Sequence, residues 1–282
     1  MSDAPNADQR AFWSEDAGQK WVAQQRAMDT LLAPVLDGVF ERTKLSRRDK
    51  VLDIGCGAGT STIRAAELVG PEGRATGLDI SDRLLQLARS RAENGSVLTY
   101  LHADAATYDF EPEHYDHMIS RFGVMFFDDT VGAFSNMIRA LKPDAHICFA
   151  TWGAIEENPY FKLAAKAARE VLGFMPKSDP DTPGPFAMRE PERIIPTLEK
   201  AGLKVVNADR QKVFLTPENG LAGLVDICMQ IGPAESAIRH FEADEMQQIE
   251  VRDNLAKNLE PFEVEIGTVH VHAEIIFYTA RA

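Results

Sequence analysis

Apolar residues along the first half of the chain follow two spacings. Short continuous apolar runs are typical of strands buried on both faces, and they predict strands at residues 51–54, 74–80, 97–101, 116–120 and 146–152. Between these runs, apolar positions recur every three or four residues, as on one face of a helix. Strands that alternate with helices in this way predict a parallel sheet covered by helices on both faces.

The chain on either side of these strands is mainly helical in pattern. Before the first strand, apolar spacing predicts two helices, around residues 21–28 and 32–39. The pattern changes after residue 152 and predicts helices at 158–172, 191–201 and within 217–260, with strand pieces at 203–206 and 213–215. The last segment, 268–279, is rich in β-forming residues and is expected to pair at the edge of the sheet.

A glycine-rich turn follows the first strand, in the stretch VLDIGCGAGTS at residues 51–61. Glycine adopts backbone conformations that other residues resist, and its missing Cβ lets a ligand lie directly on the main chain. The helix that opens at about Ala58 presents unpaired N–H groups, which suit a carboxylate or a phosphate. The glycines are spaced GxGxG rather than the GxGxxG of dinucleotide sites, and a turn that serves only tight packing remains an alternative.

Polar residues also follow three of the other strands. Asp79 ends the second strand, Asp104 follows the third, and Ser120 and Arg121 end the fourth. Ligands of such sheets bind beyond the carboxyl ends of the strands, so these side chains are expected to be neighbours, with Asp79 suited to accept hydrogen bonds from ribose hydroxyls. Other roles remain open: Asp53 as a cap of the turn, either later aspartate as a helix N-cap, and Arg121 as an ion-pair partner.

The glycine turn and the two acids, in this order and at these intervals, resemble the class I S-adenosylmethionine-dependent methyltransferases. The chain looks similar to the small-molecule methyltransferases of ubiquinone and menaquinone biosynthesis, and the resemblance covers about residues 48–152. It implies an α/β fold with a Rossmann-like, seven-stranded, mostly parallel sheet and a helical cap inserted after strand five. We therefore expect a helical segment at 1–47 that covers the cofactor site, a cofactor-binding core at 48–153, and the cap with the final strands at 154–282.

The resemblance also implies which residues bind S-adenosyl-L-methionine. The glycine turn would contact the methionine part, the acid after strand two the ribose, the acid after strand three the adenine amino group, and the end of strand four the neighbourhood of the sulfur. The expected cofactor-binding residues are Asp53, Gly55, Cys56, Gly57, Gly59, Thr60, Asp79, Ile80, Asp104, Ala105, Ser120, Arg121 and Trp21. A general base cannot be named from the sequence, and the candidates near strand ends are Arg121, His102, Tyr160 and Glu157.

Composition narrows the classes of partner. The net charge of −13 argues against a nucleic-acid groove, which needs clustered Lys and Arg. There is no apolar run near the length of a membrane span and no signal-peptide core at residues 1–10, so we expect a cytoplasmic protein. The three cysteines predict reduced thiols, and His270 and His272 lack a third ligand at suggestive spacing, so no metal site is expected. A homodimer remains open.

The expected reaction is direct in-line transfer of a methyl group to a small organic acceptor. Such a transfer depends mainly on positioning and on exclusion of water. Apolar side chains in the proline-rich stretch 174–188, namely Phe174, Met175, Phe186 and Met188, suggest an apolar or aromatic acceptor, although they could equally belong to the core. Two other functions stay open: a methyltransferase-like protein that binds the cofactor without catalysis, and an NAD-dependent oxidoreductase.

Overall fold

The computed structural model describes residues 6–14, 16–92, 97–177 and 179–282. Nine strands are present in these residues, seven in one sheet and two in a small hairpin. They are β1 (Lys50–Ile54), β2 (Arg74–Asp79), β3 (Leu98–His102), β4 (Tyr115–Arg121), β5 (Leu141–Trp152), β6 (Lys204–Leu215), β7 (Glu263–Glu265), β8 (Thr268–Val269) and β9 (Val271–Arg281).

The seven strands of the sheet lie in the order β3-β2-β1-β4-β5-β9-β6. All neighbours pair in parallel except β9, which is antiparallel to both β5 and β6. The predicted α/β class and the seven-stranded, mostly parallel sheet are therefore confirmed. The four strands that carry the motif residues are adjacent in the order β3-β2-β1-β4, so their carboxyl ends lie side by side, as the motif analysis predicted.

Two details of the predicted sheet are wrong. The final segment does not pair at the edge: β9 lies between β5 and β6, and seven of its eleven residues are buried with none exposed, which suits an interior strand. The edge belongs to β6, where the two predicted strand pieces form one continuous strand because its pairing with β9 extends through the polar residues between them. Runs of apolar residues predict buried strands, but the polar residues in the middle of the edge strand β6 form no such run.

Twelve α-helices surround the sheet in the described residues. They are α1 (Ala7–Ser14), α2 (Asp16–Ala23), α3 (Gln25–Leu31), α4 (Ala33–Thr43), α5 (Thr60–Val69), α6 (Asp82–Arg91), α7 (Thr130–Arg139), α8 (Pro159–Leu172), α9 (Pro191–Lys200), α10 (Gly220–Gln230), α11 (Pro233–His240) and α12 (Glu245–Leu259). The first four replace the two helices predicted before β1. The last three, together with α8, form the predicted helical cap after strand five. The boundaries assigned to the three regions of the chain stay predictions.

Two successive residues of β9 illustrate how helices cover both faces of the sheet. Phe277 meets α4 so closely that a Cβ on Gly38 would lie 2.4 Å from its ring. Tyr278, which points to the opposite face, stacks on Phe149 at 5.0 Å, and Phe149 in turn contacts Phe134 of α7 at 5.5 Å. All three aromatic side chains on this second face are fully buried. The core therefore has two apolar layers, one on each side of the sheet.

Asp53 fixes the turn between β1 and α5. Its Oδ2 accepts hydrogen bonds from the hydroxyls of Ser61 and Thr62, both at 2.6 Å, and the residue is 1% exposed. The other carboxylate oxygen, Oδ1, is buried and has no hydrogen-bond partner among the described residues. Burial raises the pKa of Asp53 to about 6, and the two hydroxyls offset part of that effect. The carboxyl therefore keeps a short loop closed at the cost of desolvating a charge near neutral pH.

We expect Asp53→Asn to change how stability depends on pH. Between about pH 4 and pH 6 the native state binds more protons at Asp53 than the unfolded chain, so the free energy of unfolding falls as pH rises across this window. The shift from 3.8 to about 6 corresponds to roughly 3 kcal/mol. Asparagine removes this loss, so the variant should gain stability relative to the wild type as pH rises from 4 to 7, as measured by urea unfolding with circular dichroism.

The exposed Asp253→Asn variant on α12 is the matched control. It should follow the wild-type pH dependence throughout. If Asp53→Asn also followed the wild type between pH 4 and pH 7, the carboxyl would titrate at its ordinary pKa and would not bear the desolvation described above.

Candidate active site

A cavity of about 640 Å³ opens at the carboxyl ends of β1, β2 and β4. Its volume falls in the range of small-molecule sites. One end is lined by the glycine turn and the acids that follow β2 and β3, and the other end by aromatic residues that follow β4 and β5. Trp13 and Trp21 of the N-terminal helices and residues 230–236 of the cap complete the walls. The cavity therefore lies where a ligand of this sheet is expected.

The glycines of the turn meet three different constraints. Gly57 has φ +55°, and a Cβ built on it would touch nothing within 4 Å, so this part of the main chain lies open to the cavity. Gly59 has φ +84°, and a Cβ there would lie 2.4 Å from the hydroxyl of Tyr100. At Gly55 a Cβ would lie 2.5 Å from the Cα of Gly123. The turn is thus packed tightly against Tyr100 and Gly123 on one side, and at Gly57 its main chain is open to the cavity on the other. A ligand can therefore lie directly on the main chain of this cradle.

Asp79 is held in place by main-chain N–H groups on both sides of the cavity floor. Its Oδ2 accepts from the N–H of Gly57 at 2.7 Å, and its Oδ1 accepts from that of Ser81 at 2.8 Å. Burial raises its pKa, and these N–H groups counteract part of that effect. The N-cap of α6 is Ser81, so the alternative role of Asp79 as a helix cap is wrong. The carboxylate lines the cavity.

Asp104 connects the cavity to the N-terminal segment. Its two oxygens each lie 3.0 Å from the side-chain nitrogen of Asn6, and Oδ1 also accepts from the N–H of Ala106 at 2.9 Å. Asp128 holds Asn6 further. Its carboxylate accepts from the backbone N–H of Asn6 at 2.7 Å, and its own backbone N–H donates to the side-chain oxygen of Asn6 at 2.9 Å. Sequence reasoning missed Asn6, since a single polar residue near the start of the chain carries no pattern.

Arg121 forms an ion pair that the sequence left open as an alternative. One of its terminal nitrogens, Nη2, donates to Oδ1 of Asp29 at 3.0 Å. Asp29 also accepts from Thr60 and lies 3.3 Å from Arg91. Burial alone would raise the pKa of Asp29, but Arg121 and the hydrogen bonds around it hold that pKa below its usual value. The other nitrogen of Arg121, Nη1, is buried without a hydrogen-bond partner among the described residues, and Arg121 lines the cavity.

Aromatic rings form the far end of the cavity. Phe122 stacks on Trp152, with ring centroids 4.5 Å apart and planes 4° apart, and Tyr160 lies parallel to the same tryptophan at 6.2 Å. Phe161 packs edge-on against Trp152 and Phe186. Phe122 has φ +68°, a left-handed backbone conformation that is rare for a large side chain. This strain directs the Phe122 ring onto Trp152, beside the end of β4.

Most of the predicted cofactor residues line the cavity together. They are Trp21, Gly55, Cys56, Gly57, Asp79, Ile80, Asp104, Ala105 and Arg121. Four predicted residues lie behind its wall: Asp53 faces α5, Gly59 packs on Tyr100, Thr60 donates to Asp29, and Ser120 donates to the carbonyl of Ile54 at 2.7 Å. Their direct contact with a ligand stays a prediction. The geometry favours a supporting role, because the side chains of Asp53, Thr60 and Ser120 already bond to groups behind the cavity wall.

The candidates for a general base divide in the same way. Arg121 and Tyr160 line the cavity, whereas His102 and Glu157 do not. His102 contacts the carbonyl of Ile80 at 3.1 Å from outside. Glu157 lies 3.7 Å from Lys212. Among the described residues that line the cavity there is no histidine.

The cysteines, the histidines and the helices bear on the expectations about thiols, metals and membranes. The three cysteines are buried and unpaired. In the described residues no three His, Cys, Asp or Glu side chains are grouped as a metal site would require, and no helix has the length and apolar character needed to cross a membrane. His270 contacts Phe214 and His272 contacts Phe262, both through their rings.

Comparison with known proteins gives a family for the core. Residues 51–144 match the family model described as a methyltransferase domain. Demethylmenaquinone methyltransferase of Staphylococcus aureus (strain JH9) is 33% identical over 103 residues, which are 36% of this chain and 43% of that protein. The chain thus spans less than half the length of the curated relatives that it matches.

Solved structures share the fold at low sequence identity. Phosphoethanolamine N-methyltransferase 2 of Haemonchus contortus, in complex with S-adenosyl-L-methionine, aligns with a TM-score of 0.58 and 18% identity over 96% of this chain and 59% of that one. A SAM-dependent methyltransferase of Aquifex aeolicus aligns at 0.51 and 16% over 70% and 92% of the two chains. Residues 51–144 therefore match the methyltransferase domain family, and the chain shares its fold with these solved methyltransferases.

Proposed function

We propose that the cavity binds S-adenosylmethionine and that the protein transfers its methyl group to a small organic acceptor of apolar or aromatic character. The observation that carries the proposal is the pairing of a bare main-chain cradle at Gly57 with the carboxylate of Asp79 beside it. Each oxygen of Asp79 accepts one backbone N–H in the described residues, which leaves lone pairs for two ribose hydroxyls. The methyltransferase domain at residues 51–144 supports the same interpretation.

The remaining groups at this end of the cavity fit the other parts of the cofactor. The unpartnered Nη1 of Arg121 suits the carboxylate of the methionine part, because an unpaired buried guanidinium nitrogen gains most from an anionic partner. Asp104 accepts from Asn6 and Ala106 and keeps acceptor capacity on Oδ2 for the adenine amino group. Ile80 and Ala105 offer apolar contact to the adenine ring.

Bound S-adenosylmethionine supplies a methyl group that its positively charged sulfur already activates. The protein's part is to position the acceptor and to exclude water. Trp13 contacts Phe126 at 5.4 Å and Trp21 at 6.0 Å, and its carbonyl accepts from Ser81 at 2.9 Å, so the N-terminal helices are closed over the cavity. Lys20 of α2 forms an ion pair with Glu235 of α11, which joins this cover to the cap.

The carboxylates that line the cavity are already engaged. Asp29 is paired with Arg121, Asp79 with main-chain N–H groups, Asp104 with Asn6, and Glu235 with Lys20. With no histidine among the described lining residues, no side chain is set up as a strong base. The acceptor that fits such a cavity therefore carries its own nucleophilic lone pair or a readily lost proton.

The aromatic end of the cavity supports an apolar or aromatic acceptor. Of the four apolar side chains predicted to contact it from the proline-rich stretch, Phe186 lines the cavity. Met188 is buried outside it, and Phe174 and Met175 are exposed. The support therefore comes mainly from Phe122, Trp152 and the start of α8, which follow β4 and β5. The name of the Staphylococcus aureus relative, a demethylmenaquinone methyltransferase, agrees with a small-molecule acceptor.

Two other functions are separated from this proposal by simple measurements. A methyltransferase-like protein without activity would bind the cofactor and convert no acceptor, whereas an oxidoreductase would bind NAD. The glycine spacing and the family of residues 51–144 favour S-adenosylmethionine over NAD. The homodimer, the lack of a nucleic-acid ligand and the cytoplasmic location stay predictions.

We expect S-adenosylmethionine and S-adenosylhomocysteine to bind with dissociation constants on the order of micromolar, and NAD not to bind. The GxGxG spacing of the glycine turn and the acid Asp104 after β3 favour S-adenosylmethionine over a dinucleotide. Isothermal titration calorimetry of the full chain with the three compounds tests this. Binding of NAD alone would replace the methyltransferase proposal with the oxidoreductase.

Asp79→Asn should weaken S-adenosylhomocysteine binding by roughly 5- to 150-fold, since charge-assisted hydrogen bonds to hydroxyls are lost, at a cost of ~1 to 3 kcal/mol. Calorimetry gives the affinity and thermal unfolding reports whether the fold is intact. Asp82→Asn, a partly exposed acid in the first turn of α6 that does not line the cavity, is the matched control and should bind as the wild type does. Equal affinity of a folded Asp79→Asn and the wild type would remove Asp79 from the site.

The protein should release S-adenosylhomocysteine when it is incubated with S-adenosylmethionine and a panel of aromatic acceptors that carry hydroxyl, thiol, amine or acidic carbon groups. Mass spectrometry of both products measures the transfer. Tight cofactor binding without transfer to any member of a broad panel would favour the inactive methyltransferase-like protein.

A further inference from the structure

Tyr160 is held rigidly at the aromatic end of the cavity. It lies in the first turn of α8, two residues after the N-cap Asn158. The side chain of Asn158 donates to the carbonyl of Ala154 at 2.7 Å and accepts from the N–H of Glu274 at 3.1 Å. Asn158 is fully buried, so the start of α8 is fixed to the end of β5 and to β9. Trp152 and Phe161 then hold the ring of Tyr160 from two directions, one parallel and one edge-on.

The hydroxyl of Tyr160 has no hydrogen-bond partner among the described residues, although the residue is only 2% exposed. Leaving a buried hydroxyl unpaired costs stability, and most buried polar groups are therefore paired. Tyr160 lines the cavity, so the missing partner can come from the molecule that occupies it. The rings around it carry no polar group that could serve instead, apart from the indole N–H of Trp152, which is only a donor.

We infer that Tyr160 selects the acceptor, by donating its hydroxyl hydrogen to a carbonyl or hydroxyl oxygen on a flat, unsaturated molecule held among Phe122, Trp152 and Phe161. This inference rests on the proposed function, since it takes the aromatic end of the cavity as the acceptor site. A buried hydroxyl that pairs with an oxygen of the ligand rejects an analogue that lacks this oxygen, because the hydroxyl then stays buried without a hydrogen-bond partner. The acceptor is thus an oxygen-bearing aromatic or polyunsaturated compound, and a plain hydrocarbon is excluded.

Tyr160 acts in this arrangement as a donor and not as a base. Burial raises the pKa of the Tyr160 phenol well above its usual value, so the hydroxyl keeps its proton at neutral pH. The buried thiol of Cys228 raises that pKa further. The phenol therefore matches an uncharged oxygen acceptor.

The test compares two probes of the same shape that differ in one acceptor oxygen, 2-acetylnaphthalene and 2-ethylnaphthalene. Their dissociation constants are measured by equilibrium dialysis on the full-length wild type and on Tyr160→Phe, with and without S-adenosylhomocysteine. We expect the wild type to prefer the ketone, and Tyr160→Phe to reduce the ratio of the two constants by about tenfold, mainly through weaker ketone binding. Tyr108→Phe, a partly buried tyrosine that does not line the cavity, is the matched control and should keep the wild-type ratio.

Stability of the ligand-free protein separates binding from a structural role. Tyr160→Phe removes an oxygen without a described partner, so its melting temperature should equal or exceed that of the wild type. Three results would each overturn the inference. They are an unchanged ratio in Tyr160→Phe, a Tyr160→Phe variant that melts several degrees lower or fails to fold, and a wild type that binds neither probe with a dissociation constant below about 1 mM. Failure of the proposed function has a different signature, namely no binding of S-adenosylmethionine, while the ratio still reports on Tyr160.

Discussion

A buried carboxyl at the end of the first strand is the constraint on which the site depends. Asp53 gathers the hydroxyls of Ser61 and Thr62 and so closes the loop between β1 and α5. Because this anchor is tight, Gly57 can leave its main chain bare to the cavity and direct its N–H to Asp79. A charge that is costly to bury is tolerated here because it shapes a surface that no side chain could provide.

The cavity is polar at one end and aromatic at the other, and each end is built by a different means. At the polar end, main-chain N–H groups orient acids that would repel each other in the open, and Arg121 balances Asp29 beside them. At the aromatic end, Trp152 orders the rings around it through stacking and edge contacts. Such a division suits a reaction in which a charged nucleoside and an apolar acceptor meet at one point and water is kept away.

The elements that close the cavity come from both ends of the chain. Asn6 reaches Asp104 across 98 residues, and Lys20 reaches Glu235 across 215. These contacts join the start of α1, α2 and α11 over the ends of the central strands. The N-terminal helices are therefore part of the site and not only packing for the sheet, because their tryptophans form its wall and their polar side chains touch its acids.

The sequence by itself determined the first five strands, the glycine turn and the acids at the ends of β2 and β3, because burial and turn formation depend on residues that are close in the chain. It could not determine that β9 enters the sheet between β5 and β6. Several strands have similar apolar patterns, so the pattern does not say which of them pair. Only the tertiary structure decided that Asn6 meets Asp104, that Asp29 pairs with Arg121, and that the hydroxyl of Tyr160 is left without a partner at the cavity. Those pairings join distant parts of the chain, and their energy depends on distance and burial that no local pattern encodes.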